Sequence, residues 1–198
     1  MLSRESSATL MSAVSAFLYM EARFQDEHQY EAWEALWTDD GVYWVPANGA
    51  DIDPEKEMSI IYDNRSRISL RIKQLLTGKR HTQTPQSRLR RIVSNIELMG
   101  EHNGDIAVAS NSMVFESSLR DDTIWAARNE YRLRYIDGEL RMAYKKVTLV
   151  NNEKALFTLS SAASGWITNI WISAMNKFGK IITWGVPSTM ISRACSSP

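Results

Sequence analysis

The sequence predicts an α+β domain, with helices from the first half of the chain packed on a curved antiparallel sheet built from the second. Three observations lead there. Apolar residues recur at helical spacing in stretches up to Leu75, they alternate from Ser87 to Val150, and a break from Gly78 to Pro85 separates the two regimes. A chain of 198 residues, 44% of them apolar, is most simply one domain with enough material for a core. The concave face of such a sheet is either covered by the helices or left as a pocket.

In order, Leu10, Val14, Phe17, Leu18 and Phe24 fit one face of a helix from Thr9 to Phe24, with Thr9 as its cap. Asp26 and Gln29 have capping-box spacing before a second helix, on which Tyr30, Trp33 and Trp37 share a face until Asp40-Gly41 ends it. A first strand runs from Val42 to Val45 and closes at Pro46, and Asn48 to Asp53 reads as loop. A third helix follows, in which Ile61, Ile68, Ile72 and Leu75 form the apolar stripe and Gly78 is the stop. From Ser87 a strand places Ile92, Ser94, Ile96 and Leu98 on one side, and Asp105 to Phe115 reads as a further strand.

The plainest strand signal lies between Ile124 and Val150, two alternating runs joined by Asp137-Gly138, the pair favoured in a two-residue type I′ turn. An unbroken register from that turn sets Tyr135 opposite Leu140, Leu133 opposite Met142 and Tyr131 opposite Tyr144, with Glu130 opposite Lys145 on the other face. Those tyrosines, with Leu133, Leu140 and Met142, are then first of all the inner face of the sheet, and pocket walls only if the helices leave the concavity unfilled.

Between Arg65 and Arg91 stand nine Lys or Arg and no acid. A nucleic-acid footprint fits poorly, since Ile and Leu interleave the cations and no aromatic platform accompanies them. A solvated helix face is the common meaning of such a run. Arg is enriched at interfaces and pairs bidentately with carboxylates, so a subunit interface through Asp63, Arg65, Arg71, Arg88, Arg90 and Arg91 is the sharper expectation. Nine cations without a local acid would repel one another on a bare monomer unless carboxylates arrive from another chain.

The blocks MSIIYDNRSRISLRI and SRLRRIVSNIEL, separated by an Arg-His before a Thr-Pro loop, resemble the small (beta) subunit of Rieske-type aromatic-ring-hydroxylating dioxygenases. The likeness extends back through YEAWEALWTDDGVYWVPA and forward to about Leu159, and several co-linear blocks are more specific than one short motif. The resemblance implies the cone-shaped nuclear transport factor 2-like fold and a chain that supports assembly. It also implies catalytic alpha subunits carrying the Rieske iron-sulfur cluster and a mononuclear iron, in a complex of three alpha and three beta subunits fed by NADH through a reductase. The holoenzyme would cis-dihydroxylate an aromatic ring, and the YWVPA strand is closest to members acting on aromatic carboxylates.

The residues themselves exclude some chemistry and leave other readings open. His28, His81 and His102 are scattered and the one cysteine is Cys195, so a Rieske centre, which needs two Cys and two His, cannot be built in this chain. A facial-triad iron is arithmetically available but unsupported by spacing. His81 beside Arg80 is the best acid-base candidate for a free-standing isomerase, dehydratase or cyclase. Asp40, Asp39 or Asp63 would partner it, and Tyr43, Tyr131 or Tyr144 would polarise a carbonyl. A structural or interface role for His81 is the plainer alternative, and a binding module without chemistry is a third reading. Trp33 and Trp37 are core before they are a stacking site.

Zero net charge calls for no polyanionic partner, and no leader or spanning apolar run is present, so a cytoplasmic protein with neither nucleic acid nor membrane as partner is expected. One cysteine excludes an internal disulfide framework. The 38 residues from Ser161 to Pro198 contain no Asp or Glu, whereas the preceding 160 contain all 23, so the cone is expected over residues 1–160 and an atypical tail over 161–198. An ordinary extension and an altered reading frame both account for that tail.

Overall fold

In a computed structural model of the protein, which describes residues 4–47, 49–57, 59–77, 86–118 and 122–152, three helices and six strands form one layer on another. They are α1 (Arg4–Asp26), α2 (Tyr30–Ala35), β1 (Trp37–Pro46), β2 (Ser59–Asn64), α3 (Arg65–Leu76), β3 (Arg88–His102), β4 (Asp105–Ser117), β5 (Asp122–Ile136) and β6 (Glu139–Leu149). The strands make a single sheet in the order β2-β1-β6-β5-β4-β3. All neighbours are antiparallel except β1 and β6, so the expected antiparallel sheet carries one parallel pair. The stripe Val14, Phe17 and Leu18 of α1 is buried against the inward residues of the sheet, among them Leu89, Val108, Tyr131, Leu133 and Val147. Each such side chain contributes roughly 1.5 to 3 kcal/mol when fully buried.

Several expected boundaries move. The first helix begins at Arg4, ahead of Thr9. The expected capping box does not form, because Asp26 ends α1 and its carboxylate is used by Arg91, while Gln29 makes no side-chain cap. The second helix is only six residues long and β1 starts at Trp37, so Trp33 and Trp37 lie on different elements and still meet edge to face at 5.4 Å. Asp40-Gly41 is therefore not a helix stop. It is an irregularity in β1, where a Cβ on Gly41 would come within 2.9 Å of Trp37 Cε3, so the close approach of backbone to ring demands glycine.

The third helix also divides. Ile61 sits on β2, and α3 begins only after Asn64, whose side chain accepts from Arg67 N at 3.1 Å as an N-cap. Ile68 and Ile72 remain the buried face of α3, as the spacing predicts.

Two bulges correct the expected faces. In β3, Asn95 adopts φ 51° and the pairing with β4 slips between Ser94 and Glu97, so Ile92 and Ser94 face outward while Ile96 and Leu98 face the core. In the β5–β6 hairpin, Asp137 and Gly138 both have positive φ as a type I′ turn requires, and Tyr135↔Leu140 and Leu133↔Met142 pair as expected. Ala143 is then skipped, so Arg132 pairs with Tyr144, Tyr131 with Lys145 and Glu130 with Lys146. The extra residue turns Tyr144 to the outer face and Lys145 into the core. Tyr135 is exposed.

Candidate functional site

Inside the concavity the apolar lining is interrupted by a chain of charged and amide side chains. Lys145 of β6 stands opposite Tyr131 in the pairing and shares its inward face. From α1, Glu21 and Gln25 project one helical turn apart, followed by Asp26, and from the far edge of the sheet comes Arg91 of β3. Glu21 Oε1 accepts from Lys145 Nζ at 2.7 Å and from Trp33 Nε1 of α2 at 2.7 Å, and Gln25 Nε2 donates to the same oxygen. Gln25 Oε1 in turn accepts from Arg91, whose Nε lies 3.0 Å from Asp26 Oδ1 and whose backbone N donates to Asp26 Oδ2 at 2.9 Å. The rings of Tyr131 and Tyr43 flank the Lys145 ammonium at 5.4 and 6.0 Å.

Two cations and two carboxylates therefore cancel in a space where Lys145 and Glu21 are 2% and 3% exposed at their side chains. Burial pushes Lys145 down from the usual lysine range against the pull of Glu21, lowers Arg91 against Asp26 and Glu21, and raises Asp26 against Arg91. It also drives the Tyr131 and Tyr43 phenols well above the ordinary tyrosine value. For Lys145, Arg91 and Asp26 the opposite charges beside them oppose the effect of burial, and the contacts of the network fasten α1 across the sheet from β3 to β6.

The residues expected at an interface separate into two groups. Arg65 pairs with Glu34 at 2.7 Å, with Ser69 also donating to that carboxylate. Arg71 makes a two-point pair with Asp63, one contact at 3.0 Å, and Arg91 belongs to Asp26. The premise that carboxylates must arrive from another chain is thus corrected for these three, because Glu34, Asp63 and Asp26 come from this one. Burial lowers Arg71 while Asp63 opposes the shift, and on Glu34 the hydrogen bonds from Ser69 and Arg65 outweigh burial and hold it below the usual value. Arg88 and Arg90 differ: both are exposed on β3 and neither forms an ion pair with a described residue. Arg90 donates instead to the Leu89 carbonyl at 2.9 Å. Arg90 also lines a cleft of about 320 Å³ between the end of α1 and the β3 edge, with Tyr19, Arg23, Asp26, Glu27 and Arg91.

His81 lies outside the described residues. Of its proposed helpers, Tyr43 and Tyr131 come together at Lys145 and Asp63 stands opposite Tyr43 in the β1–β2 pairing, while Asp39, Asp40 and Tyr144 lie elsewhere. Tyr43 is buried against Trp33 and Trp37, while Asp40 is at the surface bound by Arg134 at 3.0 and 3.1 Å, and Asp39 is exposed. A hydrogen bond from Thr38, then those from Arg134, keep Asp40 below the usual carboxylate range. Asp63 is held by Arg71, and Tyr144 lies on the outer face under Arg132. Among the described residues no group of three or more His, Cys, Asp or Glu is placed to hold a metal ion.

Glu21 and Lys145 were not singled out by sequence. One signal was there: Glu21 falls seven residues after Val14, on the buried stripe of α1. Lys145 carried none, since its inward direction depends on the bulge at Ala143.

The chain and its fold have known counterparts. The ring hydroxylating beta subunit family matches over residues 20–153. The small oxygenase component of the p-cumate 2,3-dioxygenase system of Pseudomonas putida is 33% identical over 140 residues, covering 70% of this chain and 78% of the relative. Among solved structures, the beta subunit of benzoate 1,2-dioxygenase from Burkholderia mallei superposes with a TM-score of 0.60 at 22% identity over 71% of this chain and 91% of its own. A structure of naphthalene 1,2-dioxygenase with indole bound gives 0.64 at 15% identity over 75% and 88%. The cone-shaped nuclear transport factor 2-like fold expected from the sequence is the one found, and with two thirds of its length inside the family match the chain belongs to the beta subunits of aromatic-ring-hydroxylating dioxygenases.

Proposed function

We propose that this chain serves its dioxygenase by assembly rather than by chemistry. The observation that carries the proposal is the interior network, in which Lys145, Arg91, Glu21 and Asp26 pair with one another across the concave face of the described sheet, where a cone fold would house a reaction. The Rieske cluster does not fit this chain, whose three His and single Cys lack its ligand set, and among the described residues no group of three or more His, Cys, Asp or Glu is placed to hold the mononuclear iron. Both are assigned to a larger alpha subunit, supplied with electrons from NADH through a reductase. A complex of three alpha and three beta subunits in the cytoplasm is the assembly proposed. No described helix is long and apolar enough to cross a membrane. Because the p-cumate and benzoate relatives are named for aromatic carboxylates, that substrate class is extended to this enzyme.

Of the six expected interface residues, Arg88 and Arg90 are retained as contacts to a neighbouring subunit, whereas Asp63, Arg65, Arg71 and Arg91 shape the surface from within. Co-expression with a Rieske-bearing alpha subunit tests the proposal. The two should co-purify, with all iron in the larger chain and turnover of benzoate-type substrates by the complex. Stoichiometric iron in the isolated small chain, or no association between the two, overturns it.

A further inference from the structure

The outer face of the sheet carries an apolar row that ends where the described chain does. Val150 N donates to Ala126 O at 3.0 Å, Ala126 pairs with Met113, and Met113 pairs with Ile92, so these residues lie side by side from the end of β6 to β3. Ile124 and Phe115 form a second apolar pair next to them. Val150, Ile92, Ile124, Met113 and Phe115 are 46 to 80% exposed, and so many adjacent large apolar side chains mark a surface that something covers.

The path open to the residues after Val150 leads over that surface. Asn152 N donates to Leu149 O at 3.3 Å, the bond of a turn that reverses the chain at the end of β6. In the plane of the sheet β6 is flanked by β5 on one side and by β1 along Tyr144 to Lys146 on the other, and α1 fills the inner face. On the outer face the loop at Ala50 already sits over the β1 side, where its carbonyl accepts from Lys146 Nζ at 2.7 Å. Among the described residues the outer side of β5, β4 and β3 is what remains uncovered. The next eight residues, Glu153 to Ser160, suit it: Ala155, Phe157 and Leu159 alternate and fall on one side of an extended run. Such a run reaches roughly 26 Å, against about 14 Å across the sheet from β6 to β3.

We infer that residues 153–160 lie over the outer face of β5, β4 and β3 of their own chain, with Phe157 and Leu159 against Ile124, Phe115, Met113 and Ile92. The cover belongs to the domain itself. It leaves Arg88 and Arg90 at its rim and asks nothing of residues 161–198.

Peroxide oxidation of the full chain, followed at each methionine by mass spectrometry, tests this. Met99 and Met113 are 62% and 49% exposed in the described fold, so without a cover they should oxidise at similar rates. Under the cover Met113 should react several-fold more slowly than Met99, and Phe157→Asp with Leu159→Asp should bring the two rates together at unchanged circular dichroism. In a Cys195→Ser background, Ile124→Cys with Phe157→Cys should form a disulfide within one chain, whereas Ile136→Cys, at the far end of β5, should not join Phe157→Cys. Equal oxidation rates in the wild type overturn the inference. Protection of Met113 that survives the two aspartates assigns the face to a second copy, another subunit or residues 161–198, and also overturns it. So does a disulfide that forms between chains, or one that forms equally well from Ile136→Cys. If the aspartates unfold the chain, the disulfide result alone decides.

Discussion

Lys145 and Glu21 meet at 2.7 Å with almost no solvent access, so the cost of removing one of them is set by what happens to the other. Lys145→Met takes the ion-pair partner from the buried Glu21 carboxylate, leaving the hydrogen bonds of Trp33 and Gln25 and the more distant charge of Arg91, and should destabilise the fold by about 3 to 5 kcal/mol in chemical denaturation. The double variant Glu21→Gln with Lys145→Met removes both charges and keeps the amide within reach of Trp33, so most of that loss should return. A double-mutant cycle near zero would show that the pair contributes nothing beyond its packing. Glu34 gives a pH dependence of the ordinary carboxylate sign. Its folded value lies below the usual 4.5 because the hydrogen bonds of Ser69 and Arg65 outweigh burial. The stability it contributes is therefore complete above 4.5 and is lost as pH falls through the lower folded value. Glu34→Gln should flatten the acid limb of melting temperature against pH in that window while leaving the rest of the curve parallel.

At the scale of elements, the two bulges decide which residues the sheet presents to each side. Asn95 holds φ 51°, a conformation costing a β-branched residue roughly 1 to 2 kcal/mol more than it costs Asn or Gly. Asn95→Val should lower stability by about that amount and Asn95→Gly should not, as read from denaturation midpoints. Equal losses would mean that the Asn side chain, and not the backbone, is what matters there. The expectation that Ile92, Ser94, Ile96 and Leu98 share a face failed at this residue. Perfect alternation in sequence says nothing of a single left-handed residue that inverts it. The hairpin failed in the same way after the fourth pair from its turn: Asp137-Gly138 fixed the first pairs, and Ala143 then shifted Tyr144 outward.

For the whole molecule, the described sheet is complete at Leu149, and the composition changes only after Ser160. We propose that the cone ends near Ser160. A chain stopped there should keep the unfolding temperature and the multimer mass of the full chain. A fall in either would mean that residues 161–198, with their three tryptophans, belong to the core or to an interface. The local absence of acids between Arg65 and Arg91 was real along the chain and misleading in space. Strand β2 turns Asp63 toward Arg71, α2 delivers Glu34 to Arg65, and α1 delivers Asp26 to Arg91.

By itself the sequence determined the fold class, the stripe on α1, the buried Ile68 and Ile72, the Asp137-Gly138 turn and the family. Each of those rests on spacing within one segment or on the co-linear order of segments, and both are written along the chain. Only the tertiary structure decided that Lys145 is buried and Tyr144 is not. It alone separated Arg88 and Arg90 from the arginines that already have partners, and placed four apolar side chains together on the outer face. These depend on register and on contacts between residues tens of positions apart. A single inserted residue or a carboxylate from a distant helix reverses such contacts without changing any local pattern.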